Sequence, residues 1–422
     1  MSRANDPGLQ SWISVPEESD FPIQNLPFGI FQTDGLSPRV GVAIGDQVLD
    51  LAALNRDGFL TAFDLPDSIL ENQYLNDFIK LGKDKTSAVR EHLSDLLQEE
   101  NAVLRDAPDA VNKYFHLQAS VQMLLPVQPG DYTDFYSSEV HATNIGRMFR
   151  PDNPLMPNWK YIPVGYHGRS STIIVSGEHF HRPKGQILEK DGEPPVFRAS
   201  TQLDFELETA FITFDGPAMG QSITTSEAEQ YIFGMVLFND WSARDIQRWE
   251  YVPLGPFLAK NFASSISPWV VTLDALQPFY CEGPVQDPPV LDYLRFNGPK
   301  NIDISLEVGI IPEGNEETTV CHSNFKYMYW NINQQLAHQT VNGCLVRAGD
   351  MYGSGTISAP AEDGYGSMME LTWRGQNPLI MKDGSTRKFI EDGDTVVIRG
   401  WCERNGIRVG FGEVSSKVLP AI

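Results

Sequence analysis

Leu203-Asp204-Phe205-Glu206-Leu207-Glu208 alternates without a break between apolar and acidic residues. Period two predicts a β-strand with Leu203, Phe205 and Leu207 on one face and three carboxylates on the other. At about 3.3 Å of rise per residue, Glu206 and Glu208 stand roughly 7 Å apart. Two charges at that separation repel by about 2 kcal/mol at an effective dielectric of about 20. Water relieves the repulsion on an exposed strand, and a cation relieves it inside a fold. With 55 acids among 422 residues, about seven acid-x-acid pairs arise by chance, so the pair alone leaves both alternatives open.

Three other segments add context. Residues 131–144 hold Asp134 and His141 in a mixture of aromatic, hydroxyl and charged residues that follows neither amphipathic period, which suits a site loop. Met235-Val236-Leu237-Phe238-Asn239-Asp240 is an apolar run that stops at a polar pair before Trp241-Ser242-Ala243-Arg244-Asp245, so Asp240 is expected at a strand end facing a cleft. In Met368-Met369-Glu370-Leu371-Thr372-Trp373 the odd positions are apolar, which reads as a strand with Glu370 and Thr372 on the opposite face.

The length predicts two units, with the boundary at Pro126 and Pro129: residues 1–126 and 127–422. Phe28-Gly29-Ile30-Phe31 and residues 39–44 are strand-like, Gly45-Asp46 marks a turn, and Val48-Leu49-Asp50-Leu51 is the return strand. From residue 65 to 118 the pattern is helical, with Val89, Leu93, Leu96 and Leu97 forming a core stripe. Beyond the boundary the chain is mostly strand-like. One long helix is expected, capped by Ser323, running through Phe325, Tyr329, Ile332 and Leu336 and stopping near Asn342-Gly343. Residues 395–402 and 407–414 flank Asn405-Gly406, a hairpin signal.

A formal charge of −23 without a concentrated basic block disfavours nucleic acid as a partner. Cys281, Cys321, Cys344 and Cys402 show no CxxC spacing, which fits a reducing compartment. Residues 1–14 lack a signal-peptide pattern, and no apolar run approaches the roughly 20 residues that span a bilayer. A cytoplasmic protein without membrane partners is the expectation. Gly353-Ser354-Gly355 lacks a third glycine at dinucleotide-binding spacing, and no Walker or G-x-S-x-G pattern stands in the right context, so neither a nucleotide cofactor nor a serine triad is signalled.

Taken together, residues 131–146, Pro163-Val164-Gly165-Tyr166-His167-Gly168-Arg169, Asn239-Asp240-Trp241-Ser242-Ala243-Arg244-Asp245-Ile246-Gln247, residues 249–260, Gly353-Ser354-Gly355-Thr356-Ile357-Ser358 and the Glu370 segment resemble the fumarylacetoacetase family. The resemblance covers nearly the whole chain and is strongest from about residue 126 onward. It implies a mainly β protein with some helix: an N-terminal SH3-like β-barrel domain followed by a fumarylacetoacetase-type β-roll. It implies metal-dependent hydrolysis of the carbon–carbon bond of fumarylacetoacetate to fumarate and acetoacetate, the end of tyrosine breakdown, by a homodimer.

That reaction needs an activated water, a stabilised oxyanion and a place for charge on the leaving carbon. The resemblance assigns Asp134, Glu206, Glu208 and Asp240 as ligands of Ca²⁺ or Mg²⁺, and all-oxygen donors favour such hard ions over zinc. Lys260 and Ser264 match further metal-contacting positions, although Ala263-Ser264 stands where the pattern has glycine and threonine. His141 matches the water-activating base and Glu370 its partner, with His167 the rival base. Arg244, Gln247 and Lys260 match donors to the oxyanion and leaving carbanion, while Arg244 beside Asp245 alternatively reads as a plain ion pair. Tyr136, Arg150, Tyr166, Gln247, Tyr251 and Thr356 match substrate-contacting positions. Acylpyruvate hydrolases and oxaloacetate decarboxylases of the same superfamily are the nearest alternatives. A non-catalytic metal-binding β-domain is the alternative of another class, and it leaves His141, Glu370, Arg244 and Lys260 unexplained.

Overall fold

Alternating and continuous apolar runs become sheet, and the sheets decide where the acids lie. The computed structural model describes residues 2–66, 68–190 and 192–422. An N-terminal five-stranded sheet runs in the order Phe115–Leu117, Gln47–Asp50, Arg39–Ile44, Phe28–Gln32, Gln122–Leu124. The expected return strand ends one residue early, because Asp50 accepts a hydrogen bond from Ala53 N at 2.9 Å and caps a helix over Leu51–Arg56. The helix Lys83–Leu97 buries the stripe Val89, Leu93, Leu96 and Leu97 as its spacing predicts. The end of the region read as helical is different: Phe115–Leu117 is a strand, paired through Val48↔His116.

A larger sheet follows the order Gly165–His167, Tyr132–Phe135, Met351–Gly353, Leu207–Thr213, Ile232–Asp240, Ser264–Ile266, Ile173–Val175, with Val271–Thr272 also paired to Ile232–Asp240. Its two faces enter different cores. Leu207, Phe211, Met235 and Leu237 pack with the C-terminal sheet, whereas Ala210, Ile212, Phe233, Val236 and Phe238 pack with the N-terminal unit. A sheet covered on both faces explains why Ile232–Phe238 carries no polar side chain. The two units are also stitched by backbone: Phe28 N donates to Val270 O at 3.1 Å and Val270 N to Phe28 O at 2.8 Å. Gly29 lies so close to Trp269 that a Cβ would stand 2.7 Å from the indole.

The C-terminal sheet, Thr318–Asn324, Ser305–Ile311, Thr395–Arg404, Ile407–Leu419 and Phe180–His181, contains the expected hairpin. Asn405 and Gly406 turn it with φ of 55° and 76°, the left-handed pair of a type I′ turn. The helix expected from Ser323 begins later. Ser323 lies in a strand, opposite Leu306, and its hydroxyl donates to Ile357 O. The helix spans Ile332–Thr340, where Asn331 and Gln334 form a capping box. Among the described residues no helix is long and apolar enough to cross a membrane.

Replacing Asn331 by Ala should cost about 1 kcal/mol, the usual worth of such a cap, and Ser323→Ala should leave that helix intact. Chemical denaturation with far-ultraviolet circular dichroism distinguishes the two.

Candidate metal and catalytic site

The central sheet brings four acids to one place. Asp134 stands opposite Gly353, Glu208 opposite Phe238, and Asp240 opposite Ser264 in the ladder. Glu206 bridges to Ser367 just before its strand begins. One oxygen from each of Asp134, Glu206, Glu208 and Asp240 lies within 4.8 Å of the others, and all four side chains are buried. The alternation in residues 203–208 therefore does not separate core from solvent: it separates an apolar core from a buried acidic pocket. Gly353 makes room for this, since a Cβ there would stand 2.8 Å from Asp134 Oδ1 and 3.1 Å from Glu208 Oε2.

Only part of the negative charge is compensated. Lys260 Nζ donates to Glu206 Oε2 and, at 3.0 Å, to Asp240 Oδ2. Ser264 Oγ donates to Asp240 Oδ1 at 2.8 Å and Tyr166 Oη to Asp240 Oδ2 at 2.9 Å, so serine in place of threonine still reaches the cluster. Burial works to raise Glu206, but Lys260, Arg244 and His141 outweigh it and hold the carboxyl at about 2. At Glu208 and Asp134 the Lys260 charge pulls the same way but is outweighed. Burial first, then the neighbouring carboxylates, pushes both well above the ordinary range. Asp134 Oδ1 and Glu208 Oε1 have no hydrogen-bond partner. Two orphaned acceptors within an all-oxygen set of four carboxylates are what a hard divalent cation fits.

Arg244 is not paired with Asp245. Its Nε donates to Asp204 Oδ2 at 2.7 Å, its Nη2 lies 2.8 Å from Glu206 Oε1, and its Nη1 donates to Gln247 Oε1 at 3.3 Å. Asp245 instead accepts from Ser200 Oγ and Thr201 N, because the helix Arg244–Glu250 turns neighbouring side chains apart. Asp204, which the sequence reading gave no role, anchors this arrangement and also accepts from Met368 N and Met369 N at 2.6 and 3.1 Å. Its place on the carboxylate face of the 203–208 run was the available signal.

His141 lies in a helix, Glu139–Phe149, capped by Ser138, and Asp134 in the strand Tyr132–Phe135, so residues 131–144 are not the expected loop. Glu370 likewise lies in a short helix, Met368–Leu371, rather than a strand. Ser367 caps it by accepting from Glu370 N, and the Ser-x-x-Glu spacing is the sequence sign that the alternation concealed. His141 Nδ1 donates to Glu370 Oε2 at 2.6 Å. Asn144 Nδ2 donates to Glu370 Oε1, and the hydroxyls of Ser358 and Ser367 donate to the same carboxylate. Burial alone would raise Glu370, but the His141 charge and these donors lower it. The ring of Tyr136 packs edge-on against His141 at 5.2 Å. His167 is exposed and has no carboxylate partner among the described residues.

The remaining residues lie at different depths. Thr356 is buried just past Gly355, whose N donates to Glu208 Oε2 at 2.9 Å. Gln247 is half-buried beside Arg244, and Tyr251 is 48% exposed at the end of the same helix. Arg150 is exposed at the end of the His141 helix, close enough for its charge to act on the Tyr136 phenol. A cavity of about 140 Å³ lined by Tyr132, Tyr166, His167, Arg169, Asp240 and Lys260 adjoins the cluster. Tyr132 adds a phenol hydroxyl that is buried without a partner.

Residues 132–419 match the fumarylacetoacetate hydrolase C-terminal family, and residues 24–126 match the fumarylacetoacetase N-terminal family. The chain belongs to the fumarylacetoacetate hydrolase family. It is 51% identical over 415 residues to the fumarylacetoacetase of Homo sapiens, covering 98% of this chain and 99% of that protein. It is 52% identical over 423 residues to the fumarylacetoacetase of Caenorhabditis elegans, covering 98% and 100%. Among solved structures, fumarylacetoacetate hydrolase from psychrophilic Exiguobacterium antarcticum shares the fold, with a TM-score of 0.52 at 18% identity over 94% of this chain and 99% of that one.

The raised carboxyls give a pH test. As pH rises above the ordinary values of 3.8 and 4.5 for Asp134 and Glu208, the unfolded chain releases its protons while the metal-free fold still holds them, so stability without metal falls with pH. A divalent ion displaces those protons. The gain in Tm on adding Ca²⁺ or Mg²⁺ over chelator should therefore grow between about pH 5 and about pH 8, which differential scanning calorimetry reads directly.

Proposed function

We infer that this chain hydrolyses the carbon–carbon bond of 4-fumarylacetoacetate to fumarate and acetoacetate, the last step of tyrosine and phenylalanine breakdown. The His141–Glu370 pair at 2.6 Å, set beside a buried four-carboxylate cluster, carries the chemical reading. Asp134, Glu206, Glu208 and Asp240 would hold Ca²⁺ or Mg²⁺, with Lys260 and Ser264 supporting Asp240. When bound, such an ion supplies Lewis-acid polarisation of the diketone oxygens.

His141 is the base. With Nδ1 held by Glu370, its other ring nitrogen takes a proton from water, whose oxygen adds to the carbonyl carbon. Arg244, Gln247 and Lys260 then face the charge that develops on the oxyanion and, as the carbon–carbon bond breaks, on the leaving carbon, which accepts a proton. The burial of Arg244 and Lys260 and the hold of Asp204 on Arg244 support this reading. Tyr136, Arg150, Tyr166, Tyr251 and Thr356 bind the substrate, whose two carboxylate ends suit a guanidinium and phenol donors. The protein acts in the cytoplasm as a homodimer, so sedimentation velocity should give twice the 47.2 kDa chain mass.

Loss of the enol absorbance of fumarylacetoacetate reports turnover. His141→Ala should lower kcat by about 10² to 10⁴ while divalent-ion binding by calorimetry is retained. Glu370→Gln should lose less and move the acidic limb of the pH–rate profile to lower pH, because a neutral amide stabilises an imidazolium less than a carboxylate does. The double variant should be little worse than His141→Ala; near-normal turnover in His141→Ala would remove it as the base. Glu206→Gln and Glu208→Gln should each weaken ion binding.

A further inference from the structure

The chain immediately after Glu370 is bent in a way that catalysis by Glu370 does not require. Trp373, Arg374 and Gly375 follow one another with φ of 47°, 61° and 77°, and left-handed backbone at the first two, which carry a Cβ, is strained. The bend returns Arg374 N to Met369 O at 2.9 Å and sends the exposed Arg374 side chain to the far end of the His141 helix. There its Nη1 donates to Met148 O at 3.1 Å, and its guanidinium lies 4.7 Å from the centre of the Phe149 ring. Met148 O is one of the last-turn carbonyls that a helix leaves without an internal partner, where positive charge is also favoured. The next residue is Arg150.

We propose that Arg374 is a positioning residue that fixes the C-terminal end of the His141 helix, and with it Arg150, for substrate binding. One short segment thereby grips that helix at two points. Glu370 holds the first turns through His141 and Asn144, and Arg374 holds the last turn. Without Arg374 the first turns keep their own anchors, so the base is undisturbed and the looseness falls on Arg150. This rests on the reading of Arg150 as a ligand of a substrate carboxylate.

Steady-state kinetics of the full-length metal-loaded protein test it. Arg374→Met should raise KM about tenfold and leave kcat within about twofold, since ground-state binding is lost and transition-state chemistry is not. Arg374→Lys, which keeps a donor and a charge for Met148 O, should recover most of that loss. In an Arg150→Met background, Arg374→Met should add less than about twofold, because both act through one contact. If Arg150→Met raises KM and Arg374→Met does not, the clamp is refuted. It is refuted equally if the two effects multiply, if kcat falls with KM unchanged, or if Lys behaves as Met. An unchanged KM in Arg150→Met would instead remove the Arg150 assignment itself.

Discussion

Five carboxylates, Asp134, Asp204, Glu206, Glu208 and Asp240, are buried around two buried cations, Arg244 and Lys260. Burying one ion without compensation costs several kcal/mol, so this imbalance of charge governs the architecture of the pocket. Arg244 is shared between Asp204 and Glu206, and Lys260 between Glu206 and Asp240. Glu206 is thus the one of the five that touches both cations, and Asp134 and Glu208 are left with unpartnered oxygens. The deficit is concentrated within the four carboxylates that could hold a cation. An even distribution of the same charges would give a more stable metal-free fold and a poorer site.

The basic pair beside the cluster works under the opposite rule. Glu370 accepts from His141, Asn144, Ser358 and Ser367, so its charge is spread over several donors. A carboxylate so occupied holds the imidazole in one orientation. Two kinds of buried acid therefore stand close together: one set left wanting a cation, the other satisfied by neutral donors and a histidine.

Much of this was legible in the chain. The 203–208 alternation flagged the acids, although the single strand it predicts is split into Leu203–Asp204 and Leu207–Thr213 with Glu206 on an isolated bridge between them, and Asp240 closes its strand as read. Periodicity failed where hydrogen bonding outweighed it. Residues 368–373 alternate like a strand, yet Ser367 caps a helix there, and residues 131–144 lack a period because they join four strand residues to an amphipathic helix. The helix expected from Ser323 starts at Ile332 because Asn331 and Gln334 cap each other, whereas Ser323 finds a carbonyl across the sheet. In each case a polar side chain chose the local structure, and apolar spacing records only burial. Asp204 was missed as an anchor because its partner Arg244 lies 40 positions away and is adjacent only after folding.

Phe238 pairs with Glu208 across the ladder while its ring lies in the core shared with the N-terminal unit. The sheet that aims the acids is thus backed by Phe28 and Phe78, whose rings pack against each other and against Phe233 of the sheet in tilted and edge-on contacts. The N-terminal unit is a buttress for the pocket as well as an appendage to it. Loosening that aromatic contact would free the strand that carries Glu208 and Asp240 to shift, so a change far from the cluster would register as a weaker hold on a cation.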